Sequence, residues 1–246
     1  MSTQIDVGAI VRRTFQIYVD QASVLMPAAA VVFLISGVLS VLLIAASPAL
    51  GLVALIVSIV ASTLFTGMVV ELVADVQDGR RDATPGQLLR AASPVLGKLI
   101  FVGIVAGVGI AIGFVLLIVP GLILLTIWAV AAPVVVLERP DGLGALGRSR
   151  DLVRGNGWKV FAVILLLVIL VGVVSVAIEA IASSAGEAAG LVARVIVGIL
   201  TQPISSLAAA VLYFELRGAP ANVRLGNAAG LTGTDISQPG PPPAMP

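Results

Sequence analysis

Cysteine and histidine are both absent from the 246 residues, and only 11% of the residues are charged. Without cysteine there is no disulfide and no thiolate nucleophile, and no redox compartment can be read. Without histidine the usual imidazole base and the commonest transition-metal ligand are missing. No phosphate-cradling glycine loop and no paired intramembrane aspartates take their place, so acid–base, nucleophilic and metal-assisted chemistry lack their customary parts. No catalytic residue, metal site or cofactor is expected. An excess of one sign is lacking too. Fourteen Lys and Arg face thirteen Asp and Glu, for a net charge of +1, so nothing draws the chain to nucleic acid.

What the chain does have is apolar. Hydrophobic residues make up 59% of it, and the mean hydropathy is +1.15. A soluble domain has roughly 45–50% apolar and about 25% charged residues. Too few polar side chains exist here to cover a water-facing surface, so the expected solvent is lipid. The first 22 residues include Asp6, Arg12, Arg13 and Asp20, unlike the uninterrupted apolar core of a cleaved signal peptide. The first span is therefore expected to stay.

Six apolar runs occupy residues 23–46, 50–76, 99–119, 121–137, 158–182 and about 188–216. Each approaches or exceeds the ~20 residues that carry a helix across a bilayer. Only Pro120 and Gly121 separate the third and fourth runs, which as one helix would be roughly twice the bilayer thickness. Proline interrupts the helical ladder and glycine allows reversal, which predicts a tight hairpin at that pair, a kinked re-entrant pair being the alternative.

Charge placement predicts the orientation. Arg12 and Arg13 precede the first run; Arg80, Arg81, Arg90 and Lys98 follow the second. Arg139, Arg148, Arg150, Arg154 and Lys159 follow the fourth, and Arg217 and Arg224 the sixth. The opposite loops, at Ser47 and Pro48 and at Pro120 and Gly121, carry no basic residue, and the third has only Arg194 nearby. Basic loops remain in the cytoplasm, so both termini are expected there.

The pattern also repeats three times: a short amphipathic segment, a span, an outer turn, and a returning span with an acidic inner end. In the first segment Val7, Ile10, Val11, Phe15, Ile17 and Tyr18 share a face opposite Arg12, Arg13, Gln16 and Asp20. The second opens on Thr84, Pro85, Gly86 and Gln87, a capping-box pattern with proline at the first helical position. In the third, Leu146, Ser149, Leu152 and Val153 oppose Arg148, Arg150, Asp151 and Arg154. Such segments lie in the interface with the apolar face down.

The expected fold is thus an all-α integral membrane protein whose six transmembrane helices form three hairpins, each preceded by an amphipathic cytoplasmic interfacial helix. Residues 1–217 form the membrane domain. Residues 218–246, rich in glycine and proline, read as a disordered cytoplasmic tail. Its proline run suits a polyproline ligand, a solvated tail being the plainer reading.

The segment from Val119, Pro120 and Gly121 through Trp128 and Ala132 to Glu138, continuing over Arg148, Ser149, Arg154, Gly155, Trp158 and Phe161, resembles a broad group of prokaryotic membrane proteins. Some of these are labelled after the membrane domain fused to glycerophosphoryl diester phosphodiesterases. The ending from Leu212 to Arg217 and the Gly79, Arg80, Arg81 turn look similar as well. The resemblance runs over roughly residues 7–217 and implies a fold in a prokaryotic cytoplasmic membrane. The catalytic barrel of those enzymes, with its metal-binding carboxylates and histidines, has no counterpart here, so no activity is implied.

Three groups of polar residues are candidate sites. Glu71, Asp75, Glu138 and Glu215 stand at inner helix ends, where they either line a cation-binding vestibule or form salt bridges with Arg80, Arg139, Arg148 or Arg217. Arg148, Ser149, Arg150 and Arg154 either grip a lipid phosphate or only satisfy the positive-inside rule. Gln202, Pro203, Ser205 and Ser206 mark either a broken, cavity-lining sixth helix or a packing kink. There the carbonyl of Ile199 would lose its helical partner to Pro203, with Gln202 and the serines close enough to help. Glu179, Glu187 and Arg194 read as an outer-interface cluster with no site implied.

Gly103 with Gly107 and Gly109 with Gly113 are paired at helical spacing on two faces of the third span, suited to close packing within the chain or to a homo-oligomer. Two classes of function remain. One is a membrane scaffold or accessory subunit engaging lipids, anionic ones included, and partner proteins. The other is a small transporter or lipid-handling protein using the sixth helix.

Overall fold

The computed structural model describes residues 6–79, 84–141, 143–184 and 186–218, without the side chains of 187, 188 and 191. Arg80, Arg81, Arg224, the side chain of Glu187 and the tail from residue 219 lie outside the described residues. Among the described residues every regular element is helical. The chain runs through α1 (Val7–Asp20), α2 (Ala22–Ala46), α3 (Gly51–Gln77), α4 (Pro85–Ala92), α5 (Leu96–Leu116), α6 (Ile118–Ile127), α7 (Ala131–Leu137), α8 (Gly144–Val153), α9 (Gly157–Ser183) and α10 (Glu187–Leu216).

Among the described residues six stretches are long and apolar enough to cross a membrane: Ala22–Ala46, Pro48–Gln77, Pro85–Leu116, Ile118–Leu137, Gly157–Ser183 and Val192–Leu216. They coincide with the six apolar runs within a few residues, except that the third takes in α4 and its turn. Helices adjacent in sequence pack on one another: α2 on α3, α5 on α6, and α9 on α10.

Local signals set the helix starts. The Asp6 carboxylate accepts from the N–H groups of Gly8 and Ala9 at 2.9 and 3.2 Å, satisfying two donors that the first turn of α1 leaves open. At α4 the Gln87 side chain accepts from the Thr84 N–H at 2.8 Å, and Pro85 takes the first helical position, where no N–H is needed.

The reversal between the third and fourth spans is not at Pro120 and Gly121. One extended residue, Leu117 (φ −164°, ψ 149°), joins α5 to α6, and Pro120 sits in the first turn of α6. A first-turn proline gives up a donor that has no helical acceptor anyway, so it starts this helix instead of ending the previous one. Gly121 serves close approach. A Cβ on Gly113 would lie 2.9 Å from the Gly121 Cα, and one on Gly121 would lie 2.5 Å from the Phe114 ring. Of the two paired-glycine motifs, Gly109 and Gly113 are therefore used inside the chain, Gly109 lying under Trp128. Gly103 and Gly107 have open space beside them.

The fourth span is not one helix either. Its ladder lapses between α6 and α7 at residues 128–130. Pro133 is the cause, since its ring opposes the carbonyl four residues earlier, that of Ala129.

The core is concentrated away from the loops at Ser47, Leu117 and Ser184. Phe65, Val69, Val70 and Val73 of α3, Val134–Val136 of α7, and Leu207, Val211, Leu212 and Tyr213 of α10 are buried in one cluster. Toward those three loops the helices expose apolar side chains freely, as at Leu42, Leu52, Leu116 and Ile181. In water such surface would drive association; in lipid it is the ordinary outer wall of a span.

The short helices do not turn their apolar faces away from the protein. Ile10 and Ile17 of α1, Leu88 and Ala92 of α4, and Ala145, Leu146 and Val153 of α8 belong to the same buried cluster as the spans. The expectation that these faces lie on lipid is corrected: their partners are α10, α3 and α7 respectively. The physical reason is that adjoining span ends present apolar surface at closer range than the bilayer does.

Candidate functional site

The ladder break before Pro133 and the reversal at Arg139 organise the polar groups at this packed end. In α6 and α7 the Ala131 N–H bonds to the Trp128 carbonyl, so the carbonyl of Ile127 is released from the helical ladder. The fully buried Ser149 hydroxyl of α8 donates to it at 2.8 Å. A buried carbonyl without a partner is costly, so this bond both repairs the break and docks α8.

The chain then reverses at Arg139, whose φ of +50° is the left-handed conformation that commonly ends helices. The reversal brings α8 back so that the Arg148 Nε donates to the Glu138 carboxylate at 2.9 Å. The same carboxylate accepts from the Tyr213 hydroxyl of α10 at 2.9 Å, and Arg217 donates to that hydroxyl at 3.1 Å. Three helices are thus joined through one carboxylate. Burial opposes the charge on Glu138, yet the hydrogen bonds from Arg148 and Tyr213 and the nearby guanidinium groups outweigh it and hold the carboxyl below its ordinary range. The bond to Glu138 in turn raises Arg148, which stays charged.

The other acidic candidates do not join this network. Glu71 is half-buried and shares its electrostatic surroundings with Asp75 and Arg139. Asp75 has interactions of its own. The Glu215 side chain makes no hydrogen bond or ion pair among the described residues. No three acidic side chains gather into a metal-binding group among them either. Glu138 therefore follows the salt-bridge alternative, not the shared vestibule.

The four-residue lipid group divides. Arg148 is engaged by Glu138 through its Nε, and the buried Ser149 by the Ile127 carbonyl. Arg150 and Arg154 instead line a cleft of about 310 Å³ with Ile127, Val153, Gly155 and Gly157. Among the described residues neither of these two guanidinium groups has a hydrogen bond or ion pair.

The third group is also rearranged. α10 runs unbroken through Pro203, which is buried. Ser206 is buried and lies 3.2 Å from the Thr66 hydroxyl of α3. Ser205 is exposed, and neither it nor Gln202 makes a side-chain hydrogen bond among the described residues. One turn before Pro203 a bond comes from α1, where the Tyr18 hydroxyl donates to the Leu200 carbonyl, not that of Ile199, at 3.1 Å. Burial pushes the Tyr18 hydroxyl up, so it remains a neutral donor. Near the loop at Ser184, Arg194 and Glu179 pair at 3.5 Å beside a smaller cleft of about 230 Å³.

Sequence reasoning passed over Tyr213, Thr66 and Pro133. Tyr213 had a signal in its i,i+4 spacing to Arg217. Pro133 had one in its position within an apolar run. Nothing local to Thr66 pairs it with Ser206, 140 positions away.

Six long apolar helices packed at one end fit the class of multi-pass α-helical membrane proteins. Within that class the chain belongs to the family described as a domain of unknown function, DUF8558, whose model matches residues 88–216. The match runs from within α4 to the end of α10 and takes in Glu138, Arg148, Tyr213 and the arginine cleft. No curated protein and no solved structure matches the chain.

Proposed function

We propose that this is a multi-pass protein of a prokaryotic cytoplasmic membrane, with both termini cytoplasmic, that serves as a scaffold or accessory subunit engaging lipids and partner proteins. In this reading the spans form three hairpins, each led by an amphipathic helix: α1, α4 and α8. The basic residues flanking the spans support the orientation. Kinship with the membrane domains found beside glycerophosphoryl diester phosphodiesterases rests on the residues from Val119 to Phe161 and belongs to the proposal. So does the absence of catalysis, which rests on a chain without histidine or cysteine.

One observation carries the choice of scaffold over transporter. Of the polar residues that would line a path through the sixth span, Ser206 is closed off, buried against Thr66 within an unbroken α10, while Gln202 is part-buried and Ser205 exposed. On the same two helices Phe65, Val69, Leu207 and Val211 are buried as well. A conduction path needs wetted polar groups or a hydrated cavity at that depth.

Labelling tests both parts. Reporter fusions after Asp78, Asp141 and Arg217 should read cytoplasm, and insertions after Ser47 and Ser184 should read the exterior. Single cysteines at positions 202, 205 and 206 need no background removal, because the chain has no native cysteine. The one at 206 should resist aqueous thiol reagents from both sides. Labelling at 206, with protection by a solute, would overturn the scaffold reading in favour of transport. Partner proteins should co-purify with the intact chain in mild detergent.

A further inference from the structure

We propose that the cleft between α8 and the start of α9 binds a phosphate-bearing anion, gripped by Arg150 and Arg154. The inference rests on the membrane reading above and deepens it by naming a ligand chemistry and a place.

The local chemistry separates these two arginines from the rest. Arg148, on the same helix, is already spoken for by Glu138 at 2.9 Å. Arg150 in the last turn of α8 and Arg154, the residue that caps it, both line the cleft. Among the described residues neither has an anionic partner. A guanidinium presents a planar fork of donors that matches phosphate oxygens two at a time. Two such forks around one small cavity describe a receptor for a doubly or singly charged phosphate better than for a carboxylate-sized ion.

The remaining walls suit the same ligand. Gly155, with φ +87°, and Gly157 leave backbone without side chains in the cleft, and Ile127 and Val153 supply an apolar side. α9 begins at Gly157 with no side chain capping it, and it is 27 residues long, so its first N–H groups add a favourable field for an anion. The volume of about 310 Å³ is at the low end for a ligand pocket, which fits a phosphate with a glycerol-sized substituent and not a whole lipid. Next along the chain Trp158 is 81% exposed, as an indole at the headgroup level of a bilayer would be. A cleft beside that residue opens where lipid phosphates lie.

The phosphate can come from a phospholipid headgroup or from a soluble phosphate ester, and the test separates them. The full-length chain is placed in phosphatidylcholine nanodiscs containing phosphatidylglycerol, and native mass spectrometry reads the lipid retained. Wild-type chain should enrich phosphatidylglycerol, and R150Q/R154Q should lower that enrichment by about tenfold. R12Q/R90Q removes the same charge away from the cleft and should leave it intact. An equal fall in both double variants, or no fall in the first, overturns the proposal. Inorganic phosphate and glycerol 3-phosphate are then added to the wild-type chain: displacement of the lipid assigns the cleft to soluble esters as well, and no displacement assigns it to headgroups. A phosphatidylglycerol with a photoreactive headgroup needs no variant. Its crosslinks should fall within residues 150–158, and crosslinks confined to other segments overturn the site. Failure of the membrane reading would look different, as a chain that retains no lipid of any kind.

Discussion

The Tyr213 hydroxyl lies 2.9 Å from the Glu138 carboxylate, fastening the last turn of α10 to the end of α7 across 75 positions of sequence. Arg148 holds the other carboxylate oxygen, so the same residue also fastens α8. Tyr213 is fully buried and spends its only donor on this bond. Tyr213→Phe should therefore destabilise the chain by about 1–2 kcal/mol, because the carboxylate loses a partner while remaining half-buried. Thermal unfolding in a fixed detergent would measure it, and a shift no larger than that of a surface variant such as Arg12→Gln would refute the role.

The same carboxylate predicts a pH dependence. Its folded pKa lies below the ordinary value of 4.5, so its stabilisation is complete above that value and is lost as pH falls through the lower folded value. Unfolding followed below pH 4.5 should show a loss of stability that Glu138→Gln lacks. Between pH 6 and 8, roughly, the network should contribute no slope, since the carboxylate is ionised in both folded and unfolded chains.

Ser149 and Pro133 should be energetically coupled. Ser149→Ala leaves the Ile127 carbonyl buried and unpaired, at a cost of about 1–3 kcal/mol. Pro133→Ala removes the clash that breaks the ladder and lets the fourth span pair its own carbonyls. In a double-mutant cycle the serine variant should then cost at least about 1 kcal/mol less in the alanine background. Additivity would mean that the break has a cause other than Pro133.

The glycines of α5 should divide by face. Gly113→Ala places a Cβ 2.9 Å from backbone of α6, which cannot yield as a side chain can, so a loss of about 1–3 kcal/mol is expected. Gly103→Ala and Gly107→Ala meet nothing within 4 Å and should be neutral or stabilising by up to about 1 kcal/mol through helix propensity. Denaturant titration of the three single variants would distinguish them.

Arg139 should tolerate glycine better than valine. Its left-handed backbone disfavours residues with a Cβ by roughly 1–2 kcal/mol, and a β-branched side chain fares worst. Arg139→Val should lower the unfolding midpoint, and Arg139→Gly should lower it less. The reverse order would remove the backbone argument.

The six long apolar helices were legible in the sequence because span length and hydropathy are properties of contiguous residues. The starts of α1 and α4 were legible for a similar reason, since Asp6, Thr84 and Gln87 act within a few positions. Periodicity also marked the apolar faces of α1 and α8. It could not say what those faces touch, because lipid and the end of a neighbouring span are alike apolar. Tertiary packing decided that, and it decided for protein.

Pro120 and Pro133 show the same division within one span. Each announces an irregularity, but whether proline begins a helix or breaks one depends on where the preceding turn ends, which the packing of Gly113 on Gly121 sets. Helical spacing set Leu146, Ser149, Leu152 and Val153 on one face of α8 and Arg148 and Arg150 on the other, and spacing could go no further. Glu138 and Ile127 reach Arg148 and Ser149 only through the reversal at Arg139 and the ladder break before Pro133. By itself the sequence determined the spans, the charge pattern and the list of available chemistry, since each depends on identity and local order. Only the tertiary structure decided which arginines are consumed in holding the bundle and which two remain to face the cleft, because pairing is settled by distances between residues far apart in the chain.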